Sequence, residues 1–340
     1  MVYSFELIKH ANIRYREFLP ALAQCELFSM LFHLGISCDI RQELLGGSCF
    51  LTFECRELSD KELSYLSGHS AVVFMAENTG EFLRPLNPQG CAYLPDDLPE
   101  VLKYKGKTSA TFSRMMINTA ASLSVFHDSP FTFFDPLCGK ATGCFCALTA
   151  GMNAVGLDLD RKDIREASDY FSRYLKYHKL KHEEKTRSET YGTKAVPVVE
   201  FQFADVKEHY LSGDIRRLVL ACADTCESPA LFRKDHAHII ASDLPYGIQH
   251  APQSGTRPES LRGFLVRALP VWKSVLKPGG VIALSFNSLT LPSQTVRNAL
   301  LSAGFQLPKN KLFSNLGHEV EHAVVRDVVF ALNTEEESEI

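Results

Sequence analysis

The first 80 residues alternate between strand-like and helix-like hydrophobic patterns. Apolar residues recur at helical spacing through Glu17–Leu34, and Ser59 with Glu62 has the capping-box spacing that opens a second, shorter helix. Strand patterns lie before, between and after these helices, with Gly46-Gly47 as a hairpin turn. The predicted strands are Tyr3–Lys9, Ser37–Leu45, Cys49–Cys55 and Ala71–Ala76. The order strand, helix, strand, strand, helix, strand predicts a ferredoxin-like α+β domain over residues 1–80.

A second pattern runs from residue 111 to residue 335. Short apolar strands alternate with helices, which is typical of a mostly parallel sheet covered on both faces. The predicted strands are Thr132–Asp135, Ala154–Asp158, Val198–Phe203, His238–Asp243, Val281–Phe286 and His322–Leu332. The predicted helices are Ser113–Ser124, Ala141–Ala150, Lys162–His182, Pro258–Leu276 and Ser293–Ser302. The stretch Phe305–Leu332 should add an antiparallel hairpin at one edge.

Two further segments do not fit either pattern. Residues 81–110 are rich in proline and glycine, which predicts a linker or a loop wrapped between two domains. Residues 336–340 end the chain in a short acidic tail, which is expected to fray.

Composition narrows the class of protein. The 340 residues are 45% hydrophobic and 22% charged, which excludes a disordered chain. The formal net charge is −4, which argues against a polybasic membrane-binding protein. The ten cysteines are scattered through apolar segments, as in reduced cytoplasmic proteins, and their spacing predicts no metal site. No apolar run is long enough to cross a bilayer. We therefore expect a cytoplasmic protein that contacts no membrane.

Candidate chemistry lies just after the predicted strands, where sheets of this kind bind ligands. The first strand runs into the small residues of Asp135–Gly143 and then a helix, which indicates a loop for a nucleotide-type cofactor. Asp158 ends the second strand, where a carboxylate accepts hydrogen bonds from the ribose hydroxyls of an adenosine. Asp205 follows the third predicted strand and is expected either to accept from an adenine amino group or to cap a helix.

The fourth strand runs into Ser242-Asp243-Leu244-Pro245-Tyr246-Gly247. Asp243 and the carbonyl of Leu244 can accept the two hydrogens of an amine, which directs its nitrogen lone pair toward an electrophile. Pro245 makes the turn rigid, and Tyr246 offers a face on which a planar base can stack. These residues predict a site for a planar substrate that carries an amine.

Three of these stretches resemble class I S-adenosylmethionine-dependent amino-methyltransferases. They are DPLCGKAT at the cofactor loop, GLDLD at the second strand and DLPYG at the fourth. Within that class, the chain most resembles the tRNA guanine-N2 methyltransferases that carry an amino-terminal ferredoxin-like and THUMP region. The resemblance covers about residues 110–335 and implies a Rossmann-like fold. Ala141 stands where that family has a glycine, which predicts a slightly displaced loop.

The resemblance also assigns roles. S-adenosylmethionine would be held by Asp135, Pro136, Cys138, Gly139, Ala141, Thr142, Asp158 and Asp205. The catalytic residues would be Asp243, Leu244, Pro245 and Tyr246. The substrate would be bound by Arg114 and Tyr246, although Arg114 has an alternative role in contacts at the end of its helix.

The implied activity is N-methylation of a nucleobase amine, with guanine in tRNA as the leading substrate. One alternative is methylation of adenine N6 or of a DNA amine. The other is a non-catalytic protein of the same fold that binds RNA or a partner. The first 110 residues hold ten basic and fourteen acidic side chains, a poor electrostatic match to tRNA. The stretch Arg161–Lys194 has an excess of basic residues with interleaved tyrosines. It predicts either an amphipathic helix with a solvated face or a nucleic-acid contact surface.

Overall fold

The structure is a computed structural model of the chain. It describes residues 1–10, 13–104, 107–127, 130–191, 194–228, 234–245, 253–254, 257–314, 316–321 and 323–335.

The amino-terminal part forms the predicted ferredoxin-like arrangement of four strands and two helices, and the first residues of the expected linker add a fifth strand to its sheet. Its five-stranded sheet has the order β2-β3-β1-β4-β5 and antiparallel pairing throughout. The strands are β1 (Val2–Leu7), β2 (Ile40–Leu45), β3 (Ser48–Glu54), β4 (Val72–Asn78) and β5 (Leu83–Pro85), and the helices are α1 (Ile13–His33) and α2 (Asp60–Leu66). The capping box of Ser59 and Glu62 opens α2 as predicted. Gly46 and Gly47 both adopt positive φ in the turn between β2 and β3.

The rest of the chain forms a nine-stranded sheet covered by helices. The strand order is β15-β16-β14-β11-β6-β7-β10-β9-β8. The strands are β6 (Thr132–Asp135), β7 (Asn153–Asp158), β8 (His182–Tyr191), β9 (Lys194–Phe203), β10 (Arg216–Cys222), β11 (Ala237–Asp243), β14 (Leu276–Asn287), β15 (His318–Glu321) and β16 (Val324–Leu332), and β12 (Gln253–Ser254) pairs separately with β13 (Arg257–Pro258). The helices are α3 (Leu98–Val101), α4 (Ala110–Leu123), α5 (Thr142–Thr149), α6 (Arg161–Tyr177), α7 (Lys207–Ser212), α8 (Leu261–Val275) and α9 (Ser293–Ser302).

Strands β10, β7, β6, β11 and β14 run parallel, whereas β9 pairs antiparallel with β10 at one side and β16 antiparallel with β14 at the other. This confirms the predicted Rossmann-like sheet with an antiparallel edge hairpin, formed by β15 and β16. Side chains that alternate along β6 separate the two helical layers. Phe133 belongs to the core that contains α4 and α5, and Phe134 to the core that contains α8.

The prediction was wrong between residues 178 and 222. Helix α6 ends at Tyr177 rather than at His182, because Lys179 adopts a left-handed conformation with φ of 55°. Strand β8 was not predicted because this edge strand is rich in charged residues and shows no apolar alternation. Strand β10 was also missed, so the third parallel strand was placed at β9.

The predicted linker wraps over the helices of the second sheet. The backbone N–H of Tyr93 donates to the carbonyl of Thr149 in α5 at 2.8 Å. From α6, the Tyr170 hydroxyl donates to the carbonyl of Leu98 at 2.7 Å and the Tyr174 hydroxyl to Asp97 at 3.0 Å. Both tyrosines are buried. These two aromatic residues of the possible nucleic-acid surface therefore belong to the protein interior.

A buried carboxylate joins α1 to α4. Glu26 of α1 is fully buried and accepts from the backbone N–H of Ser70 at 2.8 Å and from the side-chain amide of Asn118 in α4 at 2.7 Å. It also accepts from the Ser70 hydroxyl at 2.5 Å. The amide of Asn118 donates as well to the carbonyl of Gly68. Glu26 thus bridges the amino-terminal sheet and the helix that precedes β6. In the part of the chain that the structure describes, no helix combines the length and apolarity needed to cross a membrane.

We expect Glu26→Ala to destabilise the protein by about 3 kcal/mol, because it removes a buried, hydrogen-bonded carboxylate and leaves its donors unpaired. Urea denaturation measures the change. The matched control is Glu17→Ala, an exposed glutamate of the same helix, whose effect should stay within about 0.5 kcal/mol. Equal effects of the two substitutions would contradict the bridging role of Glu26.

Candidate active site

An open pocket of about 1220 Å³ lies at the carboxyl ends of β6, β7, β10 and β11. This is the edge at which ligands bind in parallel sheets, and the pocket exceeds the roughly 300–1,000 Å³ of a typical small-molecule site. The residues that line it include the loop after β6, the Asp158–Asp163 turn after β7, Asp224 and Thr225 after β10, and Asp243–Pro245 after β11. The volume is sufficient for a nucleotide-sized cofactor beside a second ligand.

The loop after β6 is anchored to β7 by its backbone. The N–H of Cys138 donates to the carbonyl of Leu157 at 2.8 Å, and the N–H of Gly139 donates to Oδ2 of Asp158 at 2.8 Å. The other oxygen of Asp158 accepts from the N–H of Asp160 at 2.8 Å. Gly139 adopts a positive φ of 50°, which lets the chain turn into α5. The loop and Asp158 therefore form one rigid unit at the pocket floor.

Two glycines allow this close packing. A Cβ at Gly156 in β7 would lie 2.8 Å from Sγ of Cys138 and 3.0 Å from Sγ of Cys144. A Cβ at Gly143 in α5 would lie 3.0 Å from Oδ2 of Asp135. Any larger side chain at either position must displace the loop or the Asp135 carboxylate.

Asp135 links β6 to β11. It is buried, and its Oδ1 accepts from the hydroxyl of Ser242 at 2.8 Å and from the N–H of Leu137 at 3.1 Å. Burial raises the pKa of Asp135 to about 7, and the nearby charges of Asp158 and Asp243 act in the same direction. Asp135 can therefore exchange its proton near neutral pH.

Asp243 is held from both carboxylate oxygens. Oδ1 accepts from the hydroxyl of Ser285 in β14 at 2.7 Å, and Oδ2 accepts from the hydroxyl of Thr108. Arg326 of β16 lies with a guanidinium nitrogen 3.4 Å from Oδ2. The following residue, Leu244, donates its N–H to the carbonyl of Ser285 at 2.7 Å. The carboxylate thus keeps one orientation while it lines the pocket.

Most of the predicted residues come together in this pocket. Those that line it are Asp135, Pro136, Cys138, Gly139, Thr142, Asp158, Asp243, Leu244 and Pro245. Ala141 is fully buried behind the loop and adopts φ of 64°, the left-handed conformation that a glycine takes easily. Tyr246 lies outside the described residues.

Of the two roles expected for Asp205, the contact with an adenine amino group is wrong. Because β9 runs antiparallel to β10, its final residue Phe203 pairs with Arg216 at the beginning of β10. Asp205 therefore lies at the edge of the sheet opposite the pocket, where it accepts from its neighbour Val206 and bonds His209 at 2.6 Å. The acidic residue that follows β10, the third parallel strand along the chain, and lines the pocket is Asp224.

Arg114 is not among the residues that line the pocket. Its guanidinium donates to the carbonyl of Asp96 at 3.0 Å and lies 3.0 Å from the carboxylate of the same residue. Of its two proposed roles, the structure supports the contact at the helix end, because Arg114 ties the wrapped segment to α4.

Sequence reasoning also missed residues that do reach the pocket or its carboxylates. The wrapped segment supplies Tyr104, whose hydroxyl bonds that of Thr142 at 2.8 Å, and Thr108. Strands β14 and β16 supply Ser285 and Arg326. The apolar run of β10 could have identified the strand that ends before Asp224. No local sequence pattern marks the other residues, which are Tyr104, Thr108, Ser285 and Arg326.

Within the described ranges, no group of three or more histidine, cysteine or acidic side chains could hold a metal ion.

Comparisons with known proteins give fold-level likenesses. No protein-family model matches the chain, and no curated protein matches it. TrmN from Thermus thermophilus is 17% identical with a TM-score of 0.39, over 87% of this chain and 59% of that one. The rRNA methyltransferase aviRa from Streptomyces viridochromogenes is 14% identical with a TM-score of 0.41, over 68% and 89%. A putative RNA methyltransferase from Pyrococcus horikoshii is 10% identical with a TM-score of 0.39, over 71% and 94%.

The chain therefore spans less than two thirds of the TrmN structure that it matches.

We expect Gly156→Ala to destabilise the protein by about 1–3 kcal/mol, because the new methyl group collides with the sulfur atoms of Cys138 and Cys144. Thermal denaturation measures the shift. Gly90→Ala is the control, since its Cβ meets open space at an ordinary φ. A Gly156 variant as stable as the Gly90 variant would show that the loop is not packed against β7.

We expect the wild type to lose stability relative to Asp135→Asn as pH rises from 5 to 8. The pKa of Asp135 is about 7 in the folded protein and 3.8 ordinarily, so the folded state binds the proton more tightly. The resulting stabilisation is complete below about pH 4 and is lost as pH rises through 7. The measurement is the thermal midpoint at each pH. Asp39→Asn, an exposed carboxylate, is the control, and a constant difference for Asp135→Asn would contradict the raised pKa.

Proposed function

We propose that the chain is an S-adenosylmethionine-dependent N-methyltransferase that acts on the exocyclic amine of a nucleobase, with guanine N2 in tRNA as the first candidate. The observation that carries the proposal is that the cofactor-type loop and Asp243 line one pocket. They are directly linked, since Ser242 beside Asp243 bonds Asp135 at the start of that loop.

The residues of the pocket fit this cofactor. Asp158 presents two carboxylate oxygens at the end of β7, suitable for a ribose diol. Leu159 is 62% exposed and lines the pocket, which offers an apolar face for adenine. Gly139 leaves its part of the loop without a side chain, so a methionine moiety can approach the backbone. The buried Asp135 suits a positively charged ligand, whose charge favours the ionised carboxylate.

When bound, S-adenosylmethionine supplies a methyl carbon on a sulfonium sulfur, whose bond to that carbon breaks as the bond to the acceptor nitrogen forms. Asp243 accepts an N–H of the amine and orients its lone pair into the pocket. Ser285 keeps that carboxylate in place, and Leu244 and Pro245 fix the turn that follows. The proton that the nitrogen loses leaves to solvent water. Catalysis by these residues is positioning rather than covalent chemistry.

The substrate must bring its base into this pocket. A base stacked inside a duplex cannot reach Asp243, so the target nucleotide is unpaired or flipped out. The choice of guanine in tRNA rests on the resemblance of residues 110–335 to the tRNA guanine-N2 methyltransferases, whereas DLPYG alone indicates an amine substrate without selecting the base. Nucleoside mass spectrometry after methyl transfer to tRNA, rRNA and DNA tests that choice, and N6-methyladenine as the product would replace it with the adenine alternative.

Two substitutions separate chemistry from cofactor binding. Asp243→Asn should lower kcat about 100-fold while the affinity for S-adenosylhomocysteine changes less than about twofold, because it removes a charged acceptor from the substrate side only.

Asp158→Ala should weaken S-adenosylhomocysteine binding at least about tenfold, since it removes hydrogen bonds to a charged group. Calorimetry and a methyl-transfer assay measure the two effects.

Full turnover by Asp243→Asn would remove Asp243 from the mechanism. Unchanged affinity in Asp158→Ala would contradict the ribose assignment. A wild-type protein that binds no S-adenosylhomocysteine would support the non-catalytic alternative instead.

A further inference from the structure

Arg326 reaches the proposed catalytic carboxylate from a distant part of the chain. In the sheet, Asp243 of β11 pairs with Ser285 of β14, and Arg326 of β16 pairs with Asn287, two residues further along β14. A guanidinium nitrogen of Arg326 lies 3.4 Å from Oδ2 of Asp243. The side chain of Arg326 is only 7% exposed. Arg326 therefore places a nearly buried positive charge at this carboxylate.

Thr108 completes the contact. Its hydroxyl donates to Oδ2 of Asp243 and lies 3.3 Å from a guanidinium nitrogen of Arg326, from which it can accept. Ser285 binds the other carboxylate oxygen. Donors from three separate segments thus fix both oxygens of Asp243, so that the carboxylate cannot rotate freely about its terminal bond.

The surroundings of Arg326 hold the guanidinium in place. Its central carbon lies 5.0 Å from the centre of the Phe112 ring, a cation–π contact. Phe112 is fully buried, and its ring lies 5.3 Å from that of the buried His318. Desolvation by burial and the charge of Arg326 lower the pKa of His318 to about 4, so this histidine is neutral at physiological pH.

A buried ion pair is weak evidence for a contribution to stability, because desolvation of both charges offsets their attraction. An apolar side chain of similar length could fill the same space. The contact with Arg326 instead suits a carboxylate that has to accept a substrate amine in one orientation.

We propose that Arg326 is a positioning residue for Asp243, and that Thr108 relays its contact to the same oxygen. This inference rests on the proposed methyltransferase activity and deepens it. Arg326 and Thr108 fix the direction in which Asp243 accepts the amine hydrogen.

A double-mutant cycle tests the role. Arg326→Met, which keeps most of the side-chain volume, should lower kcat about 30-fold with less than about a twofold change in affinity for S-adenosylhomocysteine. In the Asp243→Asn background the same substitution should change kcat less than about twofold, because the group through which Arg326 acts is already altered. Arg326→Lys, which keeps the charge without the planar fork, should give an intermediate kcat.

Equal losses in both backgrounds would overturn the positioning role, since a purely structural effect is independent of residue 243. If Arg326→Met fails to fold, Thr108→Val gives the same cycle with a smaller change. Arg216→Met is the control, because Arg216 lies on β10 with an 11% exposed side chain and bonds Gly151 and Asp214 at the far end of that strand. Its kcat should stay within about twofold of the wild type.

The cycle also separates two kinds of failure. Wild-type protein that transfers no methyl group to tRNA, rRNA or DNA would overturn the proposed function and this role with it. Active wild-type protein with an additive cycle would overturn the role of Arg326 alone.

Discussion

Parallel pairing of β6 with β11 is the constraint on which the site depends. Ile239 pairs with Phe133 and Ile240 with Phe134, so both strands end at the same edge of the sheet. This register brings Ser242 to Asp135, and their hydrogen bond joins the cofactor-type loop to the strand end that carries Asp243. A shift of one residue would turn every side chain of β11 to the opposite face and separate these groups.

The pocket contains several carboxylates, and three of them have different surroundings. Burial raises the pKa of Asp135 to about 7, although the hydrogen bonds from Ser242 and Leu137 act in the opposite direction. Asp158 is held by backbone N–H groups at both oxygens. Asp243 faces an arginine and two hydroxyls. These surroundings separate a group that can exchange its proton, a polar anchor and an oriented acceptor, although all three are aspartates at strand ends.

Local patterns predicted what local interactions determine. The amino-terminal sheet, the loop after β6 and the strand end at Asp243 follow from spacing, turn residues and apolar runs within a few residues of each other. Asp205 was misplaced because the direction of a strand depends on its neighbours in the sheet, and β8 is too polar to be recognised. Arg326 could not be predicted, since its contact joins positions 83 residues apart in sequence.

The segment between the two sheets also contributes residues to the pocket. Tyr104 and Thr108 come from the segment between the two sheets, and α4 begins at Ala110, directly after them. Helix α4 packs against α1, and Glu26 fastens the two helices through Asn118. The position of Thr108 at Asp243 is therefore fixed by the docking of the amino-terminal sheet. It follows that the two parts of the chain form one structural unit, in which the first sheet supports the segment that carries Thr108.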